Sequence, residues 1–321
     1  MTDEPTHEPT DEAPTNPESR DAARPAAAAR LPSRIAFLGF GLIAGSIAAA
    51  LRDAGSAAEL RAWTPAGRGP DLGLRRGLIS RAARSAEEAL DGADLVVLAG
   101  PPLSITAMLA DGAAELAARV GEDTTVTDVA STKGRIVELA EAANLHFVGG
   151  HPMAGREVSG VAGATPTLFV DRPWVLVPTP GAREIDVDRV AALAGAVGAR
   201  PIRMTAAEHD GAVAAISHLP LVAAAALVEA VALLDGDADD WPLARALAAS
   251  GWSDMTRLAR GDPEMGAGIL ATNRAAVATR LRAYRDAIDA WVSRLETDAD
   301  PGLAADLRAR LERARDALGD R

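Results

Sequence analysis

The 321-residue chain contains no cysteine, which excludes disulfide bonds and thiolate chemistry and suits a reducing, cytoplasmic setting. It also lacks a basic surplus. Asp and Glu number 45 against 33 Lys and Arg, a formal charge of −12, so no global positive surface is available for nucleic acid. Long hydrophobic runs are missing too: the two longest, around 35–51 and 219–234, are too short or too interrupted to span a bilayer, one closed by Arg52 and the other broken by Glu229. An acidic tail precedes the first run, which makes it a poor signal peptide. Finally, the His and acidic residues show no H-E-x-x-H or comparable spacing, so no metal is expected.

What is present divides into three stretches. Residues 1–32 are rich in Pro, Thr, Glu and Ala and have almost nothing to bury, so they read as a disordered tail. From 33 to 204, short apolar or β-branched runs alternate with Ala- and Leu-rich helical stretches: Leu60–Trp63, Asp94–Ala99, Thr124–Asp128 and His146–Val148, then Pro173–Pro178 and Arg200–Met204. That alternation predicts an α/β, Rossmann-like, doubly wound parallel sheet. Residues 205–321 are helical throughout in composition and period, which predicts an all-helical C-terminal domain. Its Ala-rich apolar faces fit either a homodimer interface or a bundle buried within one chain.

The most informative segment is Ile35–Ser46, in which a buried apolar strand runs into Gly39 and Gly41 and then into an apolar helix. Gly39 permits a tight turn, Gly41 lets the backbone approach a pyrophosphate, and Ala44 fills the third G-x-G-x-x-G/A position, where helix and strand lie close. The phosphates would sit on the helix N-terminus beside Leu42 and Ile43. A plain strand-turn-helix is the competing reading, against which the surrounding alternation argues. An acidic residue at the end of the second strand would indicate NAD, but Thr64 stands there, followed by Arg68. The pair fits a 2′-phosphate, hence NADP, as well as it fits an exposed loop, so the cofactor is NAD or NADP.

Three further segments carry chemistry: Asp128–Lys133, Gly149–Glu157 and His209–Pro220. Together with Asp254–Ala259 they closely resemble the prephenate dehydrogenase family, whose patterns G-x-G-L-I-G-G-S, D-x-x-S-x-K, G-H-P-M-x-G and H-D-x(6)-S-H-L-P occur here in order between Ile35 and about Arg285. The resemblance implies oxidative decarboxylation of prephenate to 4-hydroxyphenylpyruvate in tyrosine biosynthesis, or the matching reaction of arogenate. It assigns His151 as proton acceptor at the ring hydroxyl, a role suited to neutral imidazole. Ser131, which matches the Ser sharing that hydroxyl, would orient substrate and imidazole; a plain N-cap of a helix starting near Thr132 is its other reading. Arg257 matches the family Arg that binds a substrate carboxylate, with a surface ion pair to Asp254 or Glu264 as the alternative. His218 and Asp254 join the substrate set, although a His in an apolar run equally fits a satisfied core position. Pro101 and Lys133 complete the cofactor set, while Lys133 also fits a solvated helix. His209 and Asp210 fit a local capping pair.

The chain departs from the family pattern in places: Trp252 and Ser253 replace a Phe and a basic residue, and Leu221 replaces a His. Neither end has room for a mutase or a βαββαβ regulatory module, so a single-function enzyme is expected, with any tyrosine inhibition acting at the active site. A nucleotide sensor without turnover is the reading from another class. A sensor needs no proton acceptor, and the intact Ser131 and His151 argue against it.

Overall fold

The computed structural model describes residues 31–156, 158–233, 240–297 and 301–319. The expected disorder of 1–32 therefore lies outside the described residues except at its end, where Leu31 packs on the core and Pro32 is buried. The chain opens with β1 (Arg34–Leu38), α1 (Leu42–Asp53), β2 (Glu59–Trp63), α2 (Arg68–Arg75), β3 (Arg81–Ala82), α3 (Ala86–Leu90) and β4 (Leu95–Leu98). It continues with α4 (Pro102–Arg119), β5 (Thr125–Asp128), α5 (Gly134–Ala142), β6 (Phe147–Pro152), β7 (Pro173–Pro178), α6 (Glu184–Ala196) and β8 (Arg200–Arg203). These strands form one sheet in the order β3-β2-β1-β4-β5-β6-β7-β8.

Helices cover both faces of the sheet, which is why β4, and β1 after its opening Arg34, are apolar at consecutive positions rather than at alternate ones. Ile35 and Phe37 point toward the layer containing α1 and α6, whereas Ala36 and Leu38 meet α3, α4 and α5. The sheet departs from the wholly parallel arrangement that was expected, because β7 runs antiparallel to β6. Among the described residues between them lies only a short 3₁₀ turn at Val161–Gly163, with no α-helical crossover to return the chain in the same direction. The two-residue β3 was not anticipated.

Beyond β8 come α7 (Ala206–Val213), α8 (Leu219–Val228), α9 (Asp240–Ala246), α10 (Ser250–Thr256), α11 (Pro263–Thr272), α12 (Arg274–Leu295) and α13 (Leu303–Asp316), with no strand among the described residues. One helical run extends unbroken from Ala206 to Leu233. It stays continuous through Pro220, which has no N–H to give, because the turn Ala214–His218 before it widens to π geometry, and a second π turn follows at Glu229–Leu233. By length and composition this helix is able to cross a membrane, which corrects the estimate made from 219–234 alone. Only 22% of its most apolar window is buried within the chain.

Candidate active site

Strand order reverses between β1 and β4, the place where open α/β sheets bind ligands outside their carboxyl edge. A cleft of about 740 Å³ opens there. Gly41, Leu42, Ile43 and Pro101 line one side, Ser131 and His151 another, and Arg257 reaches in from the helical region. The site thus joins the ends of β1, β4, β5 and β6 to the helical region, bringing together residues more than 200 positions apart in the sequence, Gly41 and Arg257.

The glycine loop has the geometry a pyrophosphate needs. Gly39 sits at φ +98°, and a Cβ there would lie 2.2 Å from the carbonyl oxygen of Ala99, so only glycine allows β1 to pass so close to the end of β4. A Cβ on Gly41 would instead meet nothing within 4 Å, because it would project into the cleft. Gly41 caps α1 without any side-chain hydrogen bond, and the first turn of α1 carries no acid, so its N–H groups suit an anion. These features fit a dinucleotide. Thr64 and Arg68 lie outside the cleft lining, on the loop after β2: the Thr64 hydroxyl accepts from Gly67 N–H at 3.1 Å, and Arg68 is exposed at the start of α2.

Ser131 and His151 both line this cleft, and Ser131 is not a helix cap, for α5 begins only at Gly134. The N-terminal N–H groups of α5 are taken instead by Asp210 from α7: its carboxylate accepts from Lys133 N–H and Gly134 N–H, both at 2.8 Å. The expected His209–Asp210 pair is therefore a cap, but for a distant helix. His209 Nδ1 lies 2.8 Å from Asp210 Oδ1, and His209 Nε2 lies 2.8 Å from His151 Nδ1. Burial outweighs every other influence on His151, and with the nearby His209, Lys133 and His218 it holds the imidazole well below the usual histidine pKa. The ring is consequently neutral at pH 7. Burial alone would raise Asp210, yet its bonds to His209 and to the two backbone N–H groups leave it lower than an ordinary carboxylate.

Two assignments move into the interior. Lys133, the only lysine in the chain, is neither solvated nor on the cleft wall: its side chain is fully buried and its ammonium pairs with the buried Asp128. Burial lowers its pKa and Asp128 partly restores it. His218 is likewise a core residue, 1% exposed, with Nδ1 3.2 Å from the amide nitrogen of Asn273. Burial pushes it down to about 4, so it is a neutral packing partner rather than a wall residue. Asp254 is exposed on α10 and lines no part of the cleft. Conversely, Arg156, Arg260, Asp262 and Met265 do line it and were not anticipated. Only Arg156 had a sequence signal, its place in Gly149–Glu157.

Residues 47–203 match the family model of the prephenate dehydrogenase nucleotide-binding domain, and residues 205–309 that of the prephenate dehydrogenase dimerization domain. The chain belongs to the prephenate dehydrogenase family. It is 31% identical over 271 residues to prephenate dehydrogenase of Bacillus subtilis, which spans 83% of this chain and 69% of that one. Similar figures hold for the Lactococcus lactis prephenate dehydrogenase, at 32% over 260 residues, 80% of this chain and 69% of the relative. Among solved structures, Synechocystis arogenate dehydrogenase aligns with a TM-score of 0.74 at 32% identity, covering 89% of this chain and 99% of that one. Prephenate dehydrogenase from A. aeolicus, in complex with hydroxyphenyl propionate and NAD+, aligns with a TM-score of 0.78 at 26% identity, covering 88% and 98%. Membership in this prephenate dehydrogenase family makes the chain a nicotinamide-dependent dehydrogenase.

Proposed function

We propose that this enzyme converts prephenate to 4-hydroxyphenylpyruvate and CO2, with His151 as proton acceptor, Ser131 as the group orienting the ring hydroxyl, and Arg257 as the carboxylate anchor. One observation carries the reading: a glycine-loop cradle, a neutral imidazole, a serine and a guanidinium all line one cleft. The bound nicotinamide supplies an acceptor for the hydride lost from ring C4. His151 takes the hydroxyl proton as the C–O bond becomes a carbonyl, and returns it to the phenolate oxygen once the ring carboxylate has left as CO2. Charge and atoms balance without any other acid or base.

Three arginines, Arg156, Arg257 and Arg260, line the cleft with one acidic residue among its described lining residues, Asp262. This favours prephenate, a dianion, over arogenate, which carries an added ammonium. The exposed apolar residues of the helical region, among them Ile216, Leu233, Leu243 and Leu247, together with the match to a dimerization domain, support a homodimer in which a second copy covers them, and the cysteine-free composition suits the cytoplasm. NAD or NADP is the hydride acceptor, and Arg68, exposed at the start of α2 near Thr64, is the cation that would meet a 2′-phosphate. Steady-state assays of prephenate and arogenate, each with NAD and NADP, test the substrate and the cofactor, and analytical ultracentrifugation tests the dimer. A kcat/KM higher for arogenate than for prephenate would reverse the substrate assignment.

A further inference from the structure

With both imidazoles neutral, the chain of groups that His151 touches has only one consistent arrangement of protons. Both carboxylate oxygens of Asp210 already accept backbone N–H groups at 2.8 Å, and as an ionised carboxylate it has only acceptors to offer. His209 Nδ1, 2.8 Å from Oδ1, must therefore be the donor. In a neutral imidazole the other nitrogen then holds the lone pair, so His209 Nε2 accepts. Its partner at 2.8 Å is His151 Nδ1, which must carry a proton. The lone pair of His151 is thereby left on Nε2.

We propose that His209, clamped by Asp210, is a positioning residue that fixes His151 in the Nδ1–H tautomer, so that Nε2 is the atom that takes the substrate proton. The proposal rests on His151 being that acceptor. His209 itself is 1% exposed and lines no part of the cleft, so it acts only through His151. Once Nε2 has gained its proton, the imidazolium keeps its Nδ1–H bond to His209 and needs no rearrangement before giving the proton back. Asp210 contributes twice, since the same carboxylate that orients His209 also caps α5, whose N-terminus follows Ser131. The two groups on the wall are thus referenced to one anchor.

The test is ¹⁵N-histidine NMR of the full-length enzyme, with the His151 signals assigned by their loss in His151→Asn, alongside kinetics. In the parent enzyme His151 should show a protonated Nδ1 and an unprotonated Nε2. His209→Ala should move the proton toward Nε2 and lower kcat by roughly 10- to 100-fold, the scale seen when a partner that orients a histidine is removed, with KM for the nucleotide unchanged. His209→Gln is close in size and presents an amide oxygen to Nδ1–H, so it should restore the Nδ1–H tautomer and part of kcat, and it serves alone if the Ala variant does not fold. The idea is overturned if His209→Ala keeps kcat within about twofold, or if kcat falls while the tautomer stays put. Near-normal turnover in His151→Asn would instead remove the general-base reading, and the tautomer spectrum of the parent would be unaffected.

Discussion

Replacing Lys133 with Met keeps the length of the side chain and deletes its charge, at a position with no exposed surface. Asp128 would then hold a fully buried carboxylate with two remaining donors, Ala130 N–H at 2.9 Å and Gly150 N–H at 3.1 Å, and no counter-charge. Removing one partner of a buried ion pair costs about 3–5 kcal/mol, and the two retained N–H bonds place this case near the lower figure. At about 2–4 °C per kcal/mol for a protein of this size class, the melting temperature should fall by roughly 6–12 °C. Urea unfolding should show a lower midpoint with an unchanged slope. The double variant Lys133→Met/Asp128→Asn removes both charges and should recover at least half of the loss. The ammonium also helps to hold down the pKa of His151, so its removal should shift the acidic limb of kcat/KM to higher pH. A loss below about 1 kcal/mol, or a double variant no more stable than the single, would show that the pair is not electrostatically coupled as argued.

Because burial holds His151 below the usual histidine value, it remains a free base at pH 6.5, and kcat/KM should fall only at pH values lower than that; an acidic limb centred at or above pH 6.5 would contradict this. His151→Asn should lower kcat by roughly 10²- to 10⁴-fold while nucleotide affinity, measured by fluorescence titration, holds. Arg257→Ala should lose about 30- to 1,000-fold in kcat/KM for prephenate, and Arg257→Lys should regain part of it because it keeps the charge but not the planar fork; a normal KM with a lowered melting temperature would take Arg257 out of the site. Arg68→Ala should raise KM for NADP more than for NAD, and equal effects would show that Arg68 does not read the 2′-phosphate.

Strands buried on both faces announce themselves, and β1, β4 and β5 were legible for that reason, as was the glycine loop that must follow β1. Strand direction is another matter. Pro173–Pro178 has the same apolar content whichever way it runs, and its antiparallel pairing with β6 follows from the missing crossover helix, not from its own residues. Arg81–Ala82 is too short to show a period.

That His151, Ser131 and Arg257 share one cleft was legible because each stands in an ordered motif. Their surroundings were not. Lys133 looks like any helix-start cation until Asp128 is seen beneath it, and the cap of α5 comes from Asp210, 77 residues further along the chain. Long-range pairings of this kind leave no local period, and the same holds for Arg260 and Met265, which enter the cleft from the segment between α10 and α11 and from α11 itself.

Lys133 has one more consequence. As the sole lysine, with no exposed surface, it leaves the native protein without any solvent-facing side-chain amine, and all other fixed cations in the chain are guanidinium groups. Acylating reagents, aldehydes and amine-directed cross-linkers should therefore pass over the side chains of the folded enzyme. Acylation of Lys133 becomes a clock for opening at the carboxyl end of β5 beneath the cleft, because the ammonium must leave Asp128 before it reacts. The dependence of that labelling rate on urea would separate local opening at β5 and α5 from global unfolding, with a single residue as reporter.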